Sequence, residues 1–159
     1  MRNILGRLKD QRGFNLIELM IVIAIIGLLI GVGSIAWQAV IRAGNETTAA
    51  QQVDNIRKYQ AQYASKNKGN FATFDELIAK NGLDEKFAGE SPLINGYIFK
   101  LTVVPNSASA PSSYSITADP QVGDGLSSTG TRHYYTDSNL STIKGIDENR
   151  PAKADDPSI

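Results

Sequence analysis

The first third of the chain includes one long apolar segment that contains a single charge. From Phe14 to Ile41 the only charged side chain is that of Glu18. The last 23 residues of this segment would extend about 34 Å as a helix, and a bilayer core is about 30 Å thick. The rest of the chain is too short to enclose so long an apolar cylinder on every side. The pattern therefore predicts a membrane-spanning helix over residues 14–41.

The following residues predict that this helix continues over residues 42–68 as an amphipathic half. Apolar side chains recur at spacings of four, three, three and four, which form one stripe of a helix with period 3.6. The stripe consists of Ala49, Val53, Ile56, Tyr59 and Tyr63. Two lysines and Gly69 then mark the end of the helix near Lys68.

Residues 69–143 have the pattern of a small globular head. Thr73 and Glu76 form a capping box, which predicts a short helix near residues 73–80. Beyond it the apolar period changes to two, which is typical of strands. The strands are expected near residues 96–104, 112–119, 131–137 and 140–143, the last two as a hairpin. The polar residues 144–159, with two prolines, predict a loose C-terminal tail.

Together these elements predict an α+β fold. A long N-terminal α-helix, with a membrane-spanning half and an amphipathic half, packs on an antiparallel sheet of about four strands.

Composition excludes several kinds of chemistry. The chain has 16 basic and 16 acidic residues, so its formal charge of zero gives no overall basic field for nucleic acid. It has no cysteine, which excludes a disulfide, a thiolate metal site and a cysteine nucleophile. His133 is the only histidine, and no Ser-His-Asp set, paired-carboxylate pattern or phosphate loop is present. We therefore expect no enzymatic activity, no metal and no cofactor.

The charges on either side of the apolar segment predict its orientation. The leader, residues 1–13, contains four basic residues and one acid, whereas Arg42 and Glu46 after the segment roughly cancel. The positive-inside bias then places the N-terminus in the cytoplasm and the head outside the inner membrane. The apolar run is longer than that of a secretory signal peptide, and no small-residue cleavage site follows it, so we expect the anchor to stay attached.

Glu18 is the anomaly of the apolar segment. A carboxylate in a spanning helix costs about 2.5–3.5 kcal/mol when it is central and less near the interface. Either it lies solvated and inert at headgroup depth, or it has a partner.

The residues around Glu18 resemble the processing and anchor motif of type IV prepilins and their pseudopilin relatives. The resemblance covers about residues 9–33 and rests on RGFNLIEL followed by MIVIAIIGLL. It implies that a membrane aspartyl prepilin peptidase cuts after Gly13 and then N-methylates Phe14. It also implies that Glu18 recruits and registers each incoming subunit. The implied partners are further copies of the chain in a helical homopolymer, the peptidase, an inner-membrane assembly platform and, before assembly, membrane lipid.

Physical reasoning supports the role of Glu18 independently. Cleavage after Gly13 creates an ammonium at Phe14, about 6 Å along the helix from Glu18. In a bundle of parallel helices, this ammonium can reach the carboxylate of a neighbour displaced by about one turn. An unpaired charge inside such a bundle is much more costly than a paired one, so the pairing would set the axial register.

The chain departs from related proteins at several positions. Asn15 stands where many relatives have threonine, and the sequence gives it no particular role. Related heads often hold their C-terminal region with a disulfide, which this chain cannot form, so we expect the terminal hairpin to hold it instead. The acidic calcium loop of the major secretion pseudopilins has no convincing counterpart, because Asp119, Asp124 and Asp137 are scattered in the sequence.

The favoured function is that of a structural subunit of a type IV pilus-like filament, processed in the inner membrane and then assembled into a cell-surface pilus. Such filaments serve adhesion, twitching motility or protein secretion. One alternative is a pseudopilin of a type II secretion system. Another is a membrane-tethered periplasmic binding domain that never polymerises, although a tether needs neither the Gly13-Phe14 junction nor Glu18. Two tripeptides, Asn45-Glu46-Thr47 and Asn139-Leu140-Ser141, also match the N-glycosylation pattern, which arises by chance as well.

Overall fold

The computed structural model describes residues 13–125 and 127–159 of the chain. The leader residues before Gly13, with the basic side chains expected to set the orientation, lie outside the described residues. The chain divides into two compact units, residues 1–36 and residues 37–159.

Helix α1, Leu16–Lys66, covers most of the two predicted helical halves, residues 14–41 and 42–68, and is two residues shorter than predicted at each end. The C-terminal end of α1 lies close to Gly69, the residue that the sequence predicts to stop the helix. Lys68 and Gly69 have φ values of 55° and 80°, and the Gly69 N–H donates to the Ala64 carbonyl at 2.9 Å. Such left-handed residues commonly close a helix, because they turn the chain away from its axis.

The amphipathic half of α1 buries four of the five residues of the predicted apolar stripe. Tyr59 is only partly buried, and Gln60 is fully buried in its place. The five buried residues of α1 are Ala49, Val53, Ile56, Gln60 and Tyr63.

The burial of Gln60 has a hydrogen-bonding cause. Its Nε2 donates to the Ala72 carbonyl at 2.5 Å, and its Oε1 accepts the Ala72 N–H at 3.0 Å. Ala72 is itself fully buried, so its backbone has no water to bond. One glutamine side chain therefore joins α1 to the segment that leads into the head.

Helix α2, Phe74–Asn81, begins and ends as its sequence predicts. The Thr73 hydroxyl accepts the Glu76 N–H at 3.4 Å, and the Glu76 carboxylate accepts the Thr73 N–H at 3.1 Å, which completes the capping box. Gly82 closes the helix in the left-handed conformation. A short 3-10 turn, Glu85–Phe87, follows and buries Phe87 between the rings of Phe74 and Phe99.

The sheet has five antiparallel strands in the order β1-β2-β3-β4-β5, one more than predicted. Their bounds are Leu93–Ile94, Tyr97–Val104, Ser113–Pro120, His133–Asp137 and Lys144–Ile146. The additional strand, β1, pairs with β2 across Asn95-Gly96, whose φ values are 48° and 74°. Asn-Gly favours this two-residue hairpin turn, so the sequence did contain the signal for β1.

The core lies where the sheet packs against α1 and α2. The inward face of β2 and β3 contributes Tyr97, Phe99, Ile116 and Ala118, all fully buried. The outward face of β3 carries small polar residues, as the alternating pattern predicted.

The strand predicted at residues 140–143 is wrong, because β5 begins only at Lys144. The cause is the carboxylate of Asp137, which accepts the N–H groups of Asn139 at 2.7 Å and Leu140 at 3.1 Å. These bonds turn the chain directly after β4, and pairing resumes at Tyr135 with Lys144. The expected terminal hairpin is therefore present, with a longer connection.

The C-terminal residues are not the loose tail that their polarity predicted. The Gly145 N–H donates to the Pro157 carbonyl at 2.9 Å, and the Ile159 N–H donates to the Ile143 carbonyl at 3.1 Å. An ion pair closes this segment, because Arg150 donates to both oxygens of Asp156 at 2.7 and 3.0 Å. Backbone pairing and this ion pair hold the C-terminal segment in a chain that has no cysteine.

Replacing Gln60 with leucine tests the bridge to Ala72. Gln60→Leu leaves both backbone groups of Ala72 buried without a partner, and we expect the free energy of unfolding to fall by about 2–4 kcal/mol. Gln51→Leu, at an exposed position of the same helix, should change it by less than about 0.5 kcal/mol. Urea denaturation of the purified protein in detergent measures both, and equal effects would contradict the bridge.

The Arg150–Asp156 pair predicts a pH dependence. The Arg150 guanidinium and the Lys153 N–H stabilise the carboxylate and lower the pKa of Asp156 from 3.8 to about 2. A lowered pKa stabilises the fold above pH 4, and this contribution is lost as the pH falls towards 2. Asp156→Asn should therefore lower the Tm at pH 7, and its difference from the unmodified protein should close between pH 4 and pH 2.

Thermal unfolding followed by circular dichroism measures this difference in Tm. Asp155→Asn is the matched control, because Asp155 is exposed and makes no hydrogen bond with the described residues. A difference in Tm between Asp156→Asn and the unmodified protein that stays constant down to pH 2 would refute the role of the ion pair.

Candidate processing and assembly segment

The Gly13-Phe14 junction lies just before the start of α1. Residues 13–15 have no helical structure, and the Phe14 side chain is 90% exposed. A Cβ atom added at Gly13 would meet nothing within 4 Å among the described residues. The bond between these two residues is therefore in an open, non-helical stretch, which is the form in which a protease can accept a peptide.

The start of α1 is capped by Asn15 and Glu18. The Asn15 side chain accepts the Ile17 N–H at 3.2 Å, and the Glu18 carboxylate accepts the Asn15 N–H at 3.0 Å through Oε2. The two bonds cap the helix reciprocally, with asparagine at the N-cap position and its side chain bonded to the second helical residue. Glu18 also lies in the first turn of the helix, where the helix dipole favours a negative charge.

The capping role of Asn15 is the feature of this segment that sequence reasoning missed. The comparison with the threonine of related proteins gives Asn15 no particular role, although Asn-x-x-Glu before an apolar run is a recognisable helix start. Only one oxygen of Glu18 is used by the cap, and Oε1 makes no hydrogen bond with any described residue.

The apolar half of α1 exposes its large side chains along its whole length. They range from 39% exposed at Ile41 to 75% at Leu16, and the most apolar window of the helix has no buried residue. By length and composition this helix can cross a membrane. Exposed apolar area on this scale marks a surface made for lipid or for another protein.

A polar cluster joins the middle of α1 to the loop before β4. The Glu46 carboxylate accepts the N–H and the hydroxyl of Thr131 at 2.8 and 2.9 Å. The Tyr134 hydroxyl donates to the Glu46 carbonyl at 3.0 Å, and burial raises the pKa of Tyr134 to about 12. Arg42 donates to the Gly125 carbonyl at 2.7 Å. The sequence predicts for Arg42 and Glu46 only that their charges roughly cancel.

The other candidate side chains have local structural roles. His133 is buried, with Nδ1 2.5 Å from the Asp119 carboxylate, while its Nε2 has no hydrogen-bond partner among the described residues. Asp124 accepts a hydrogen bond from Asn149, and Asp137 forms the turn after β4. In residues 13–125 and 127–159 no group of three His, Asp or Glu side chains is arranged to hold a metal ion.

Comparison with protein families identifies the N-terminal segment. Residues 8–34 match the family model of the prokaryotic N-terminal methylation motif, and this range includes Gly13, Phe14 and Glu18. No curated protein and no solved structure matches the chain significantly.

The matched motif defines the class of the segment. The chain carries a type IV pilin-like class III leader, which indicates a type IV pilin or pseudopilin-type substrate of prepilin peptidase. The long apolar helix and the antiparallel head form an α+β pilin-like architecture, as the sequence predicted. This motif points to a structural protein, and together with the apolar helix it is consistent with an inner-membrane precursor.

Proposed function

We propose that the chain is the precursor of a structural subunit that polymerises into a type IV pilus-like filament. In this proposal the peptidase cuts between Gly13 and Phe14 and methylates Phe14, and the head lies outside the inner membrane. The observation that carries the proposal is an exposed apolar helix that has one acid in its first turn and follows an open Gly13-Phe14 junction within a methylation motif.

In this proposal the exposed apolar surface of α1 is covered first by membrane lipid and later by other copies of the same helix. Before assembly the membrane covers it, because contact of these side chains with water is unfavourable by about 25 cal/mol per Å² of apolar surface. Moving from lipid to a bundle of identical helices gives no further hydrophobic gain, since lipid tails are equally apolar. Side-chain packing and a polar pairing between subunits must therefore supply the specificity of assembly.

Glu18 is suited to this pairing because its cap leaves one carboxylate oxygen available. Oε2 accepts the Asn15 N–H within the same helix, and Oε1 can accept the methylated ammonium of Phe14 from a neighbouring copy. The carboxylate can thus keep its own helix capped while it neutralises the charge of the neighbour. A neighbour in the wrong axial position would leave two charges unpaired in an apolar bundle, which costs several kcal/mol.

A pseudopilin of a type II secretion system shares the same leader and remains the alternative. The two functions differ in where the assembled protein is found. Appendages sheared from the cell surface contain the chain if it forms a pilus, whereas a secretion pseudopilin stays with the envelope fraction. A tethered binding domain would keep Met1 and would not assemble at all.

The identity of the cleavage site is tested by adding a large side chain on its leader side. We expect Gly13→Leu to keep the leader, because the peptidase must accept the residue before Phe14 in its site, and the methylated Phe14 N-terminus should then be lost. Intact-mass spectrometry of the membrane-extracted protein measures this. Gly27→Leu is the control, since a Cβ there also meets nothing within 4 Å. Equal removal of the leader in both variants would contradict this site.

The pairing role of Glu18 is tested by removing its charge. Glu18→Ala should leave membrane insertion and the methylated N-terminus intact but reduce filament yield by at least about 100-fold, since breaking a buried ion pair costs about 3–5 kcal/mol. Electron microscopy and immunoblotting of sheared filaments measure the yield. Asn15→Ala removes the cap but keeps the charge, and we expect nearly normal filaments from it. Normal filaments from Glu18→Ala would refute the pairing, and an equal loss from both variants would show that capping is the cause.

A further inference from the structure

The two tripeptides that match the N-glycosylation pattern lie in different surroundings. Asn45 is half-buried on α1, and its side-chain amide donates to the Thr129 carbonyl at 2.9 Å. The Thr47 hydroxyl of the same tripeptide donates to the Ala43 carbonyl at 2.9 Å. Both side chains are therefore used by the fold, and a sugar on Asn45 would break the contact with the loop before β4.

Asn139 lies instead in the exposed connection between β4 and β5. The side-chain amide of Asn139 and the hydroxyl of Ser141 make no hydrogen bond with any residue that the structure describes, and both residues are exposed. The turn is held from inside by Asp137, which accepts the backbone N–H of Asn139 at 2.7 Å. Arg57 fixes the other end by donating to the Ser141 carbonyl at 2.6 Å. The acceptor amide is thus presented to solvent on a fixed turn.

The surroundings of the turn also leave room for a substituent. A shallow groove of about 480 Å³ opens beside it, lined in part by Arg57, Ala61, Tyr114 and Leu140. Ser138, Leu140 and Ser141, which surround Asn139 in the sequence, also line this groove, and the Asn139 side chain itself is exposed.

We propose that Asn139 is N-glycosylated on the extracytoplasmic side of the membrane. The Asn139 amide nitrogen forms a bond to the anomeric carbon of a saccharide carried on a lipid pyrophosphate. The bond from that carbon to the phosphate oxygen breaks, the lipid pyrophosphate leaves, and the amide loses one proton. Ser141 supplies the hydroxyl that the acceptor pattern requires two positions later. The inference rests on the location of the head given in the proposed function.

Mass spectrometry of the protein from its native envelope tests the inference directly. Cleavage with trypsin after Arg132 and Lys144 gives the peptide HYYTDSNLSTIK, which contains Asn139 as its only asparagine. We expect this peptide to carry the mass of at least one sugar, located on Asn139 by electron-transfer fragmentation. Recovery of the peptide only in its unmodified form would overturn the inference.

Variants separate this modification from others on the same peptide. Asn139→Gln and Ser141→Ala should each remove the added mass completely, whereas Ser141→Thr and Asn45→Gln should retain it. Added mass that survives Asn139→Gln would lie on a hydroxyl and would overturn the inference.

Mass spectrometry of the N-terminal peptide in the same preparations shows whether Phe14 is methylated. This result tests the proposed function independently of the modification at Asn139. A glycosylated peptide from a chain without methylated Phe14 would support the modification and contradict the filament subunit. A methylated Phe14 with an unmodified peptide would do the reverse.

Discussion

The molecule depends on one constraint, which is that the apolar half of α1 presents its side chains outward on all sides. Water is an unfavourable environment for such a surface, and within this apolar half the helix satisfies its own backbone groups except the N–H groups at its start. A helix with these properties is stable in lipid or among its own copies. The polar groups of this apolar half therefore lie mainly at its N-terminal end, where the Glu18 carboxylate accepts a backbone N–H.

The capping of α1 gives Glu18 a structural role within its own helix. Asn15 and Glu18 satisfy backbone donors that would otherwise enter an apolar environment without partners. The second oxygen of the same carboxylate makes no hydrogen bond with any described residue. It is this oxygen that the proposed function assigns to the ammonium of a neighbouring copy.

The head is stabilised differently from the apolar half of α1. Polar contacts between residues that are not neighbours in the sequence hold its loops and its C-terminal segment in place. Gln60 bonds the backbone of a buried alanine, Glu46 bonds the loop before β4, and Asp156 closes the C-terminal segment on Arg150. Each of these side chains reaches a group that secondary structure leaves unpaired. The head thereby orders its loops and its C-terminal segment in a chain without cysteine.

The sequence by itself determined the apolar helix, its basic leader, the capping box of α2 and the alternating strands, because these follow from local periodicity and neighbouring residues. It also contains local signals for the cap at Asn15 and for the Asn95-Gly96 turn. Only the tertiary structure decided that Gln60 is buried, that β5 begins at Lys144 and that the C-terminal residues are held in place. Gln60 bonds Ala72, 12 positions away, and Lys144 pairs with Tyr135 in the sheet. The C-terminal residues bond the backbone of Gly145 and Ile143. No local pattern specifies these partners.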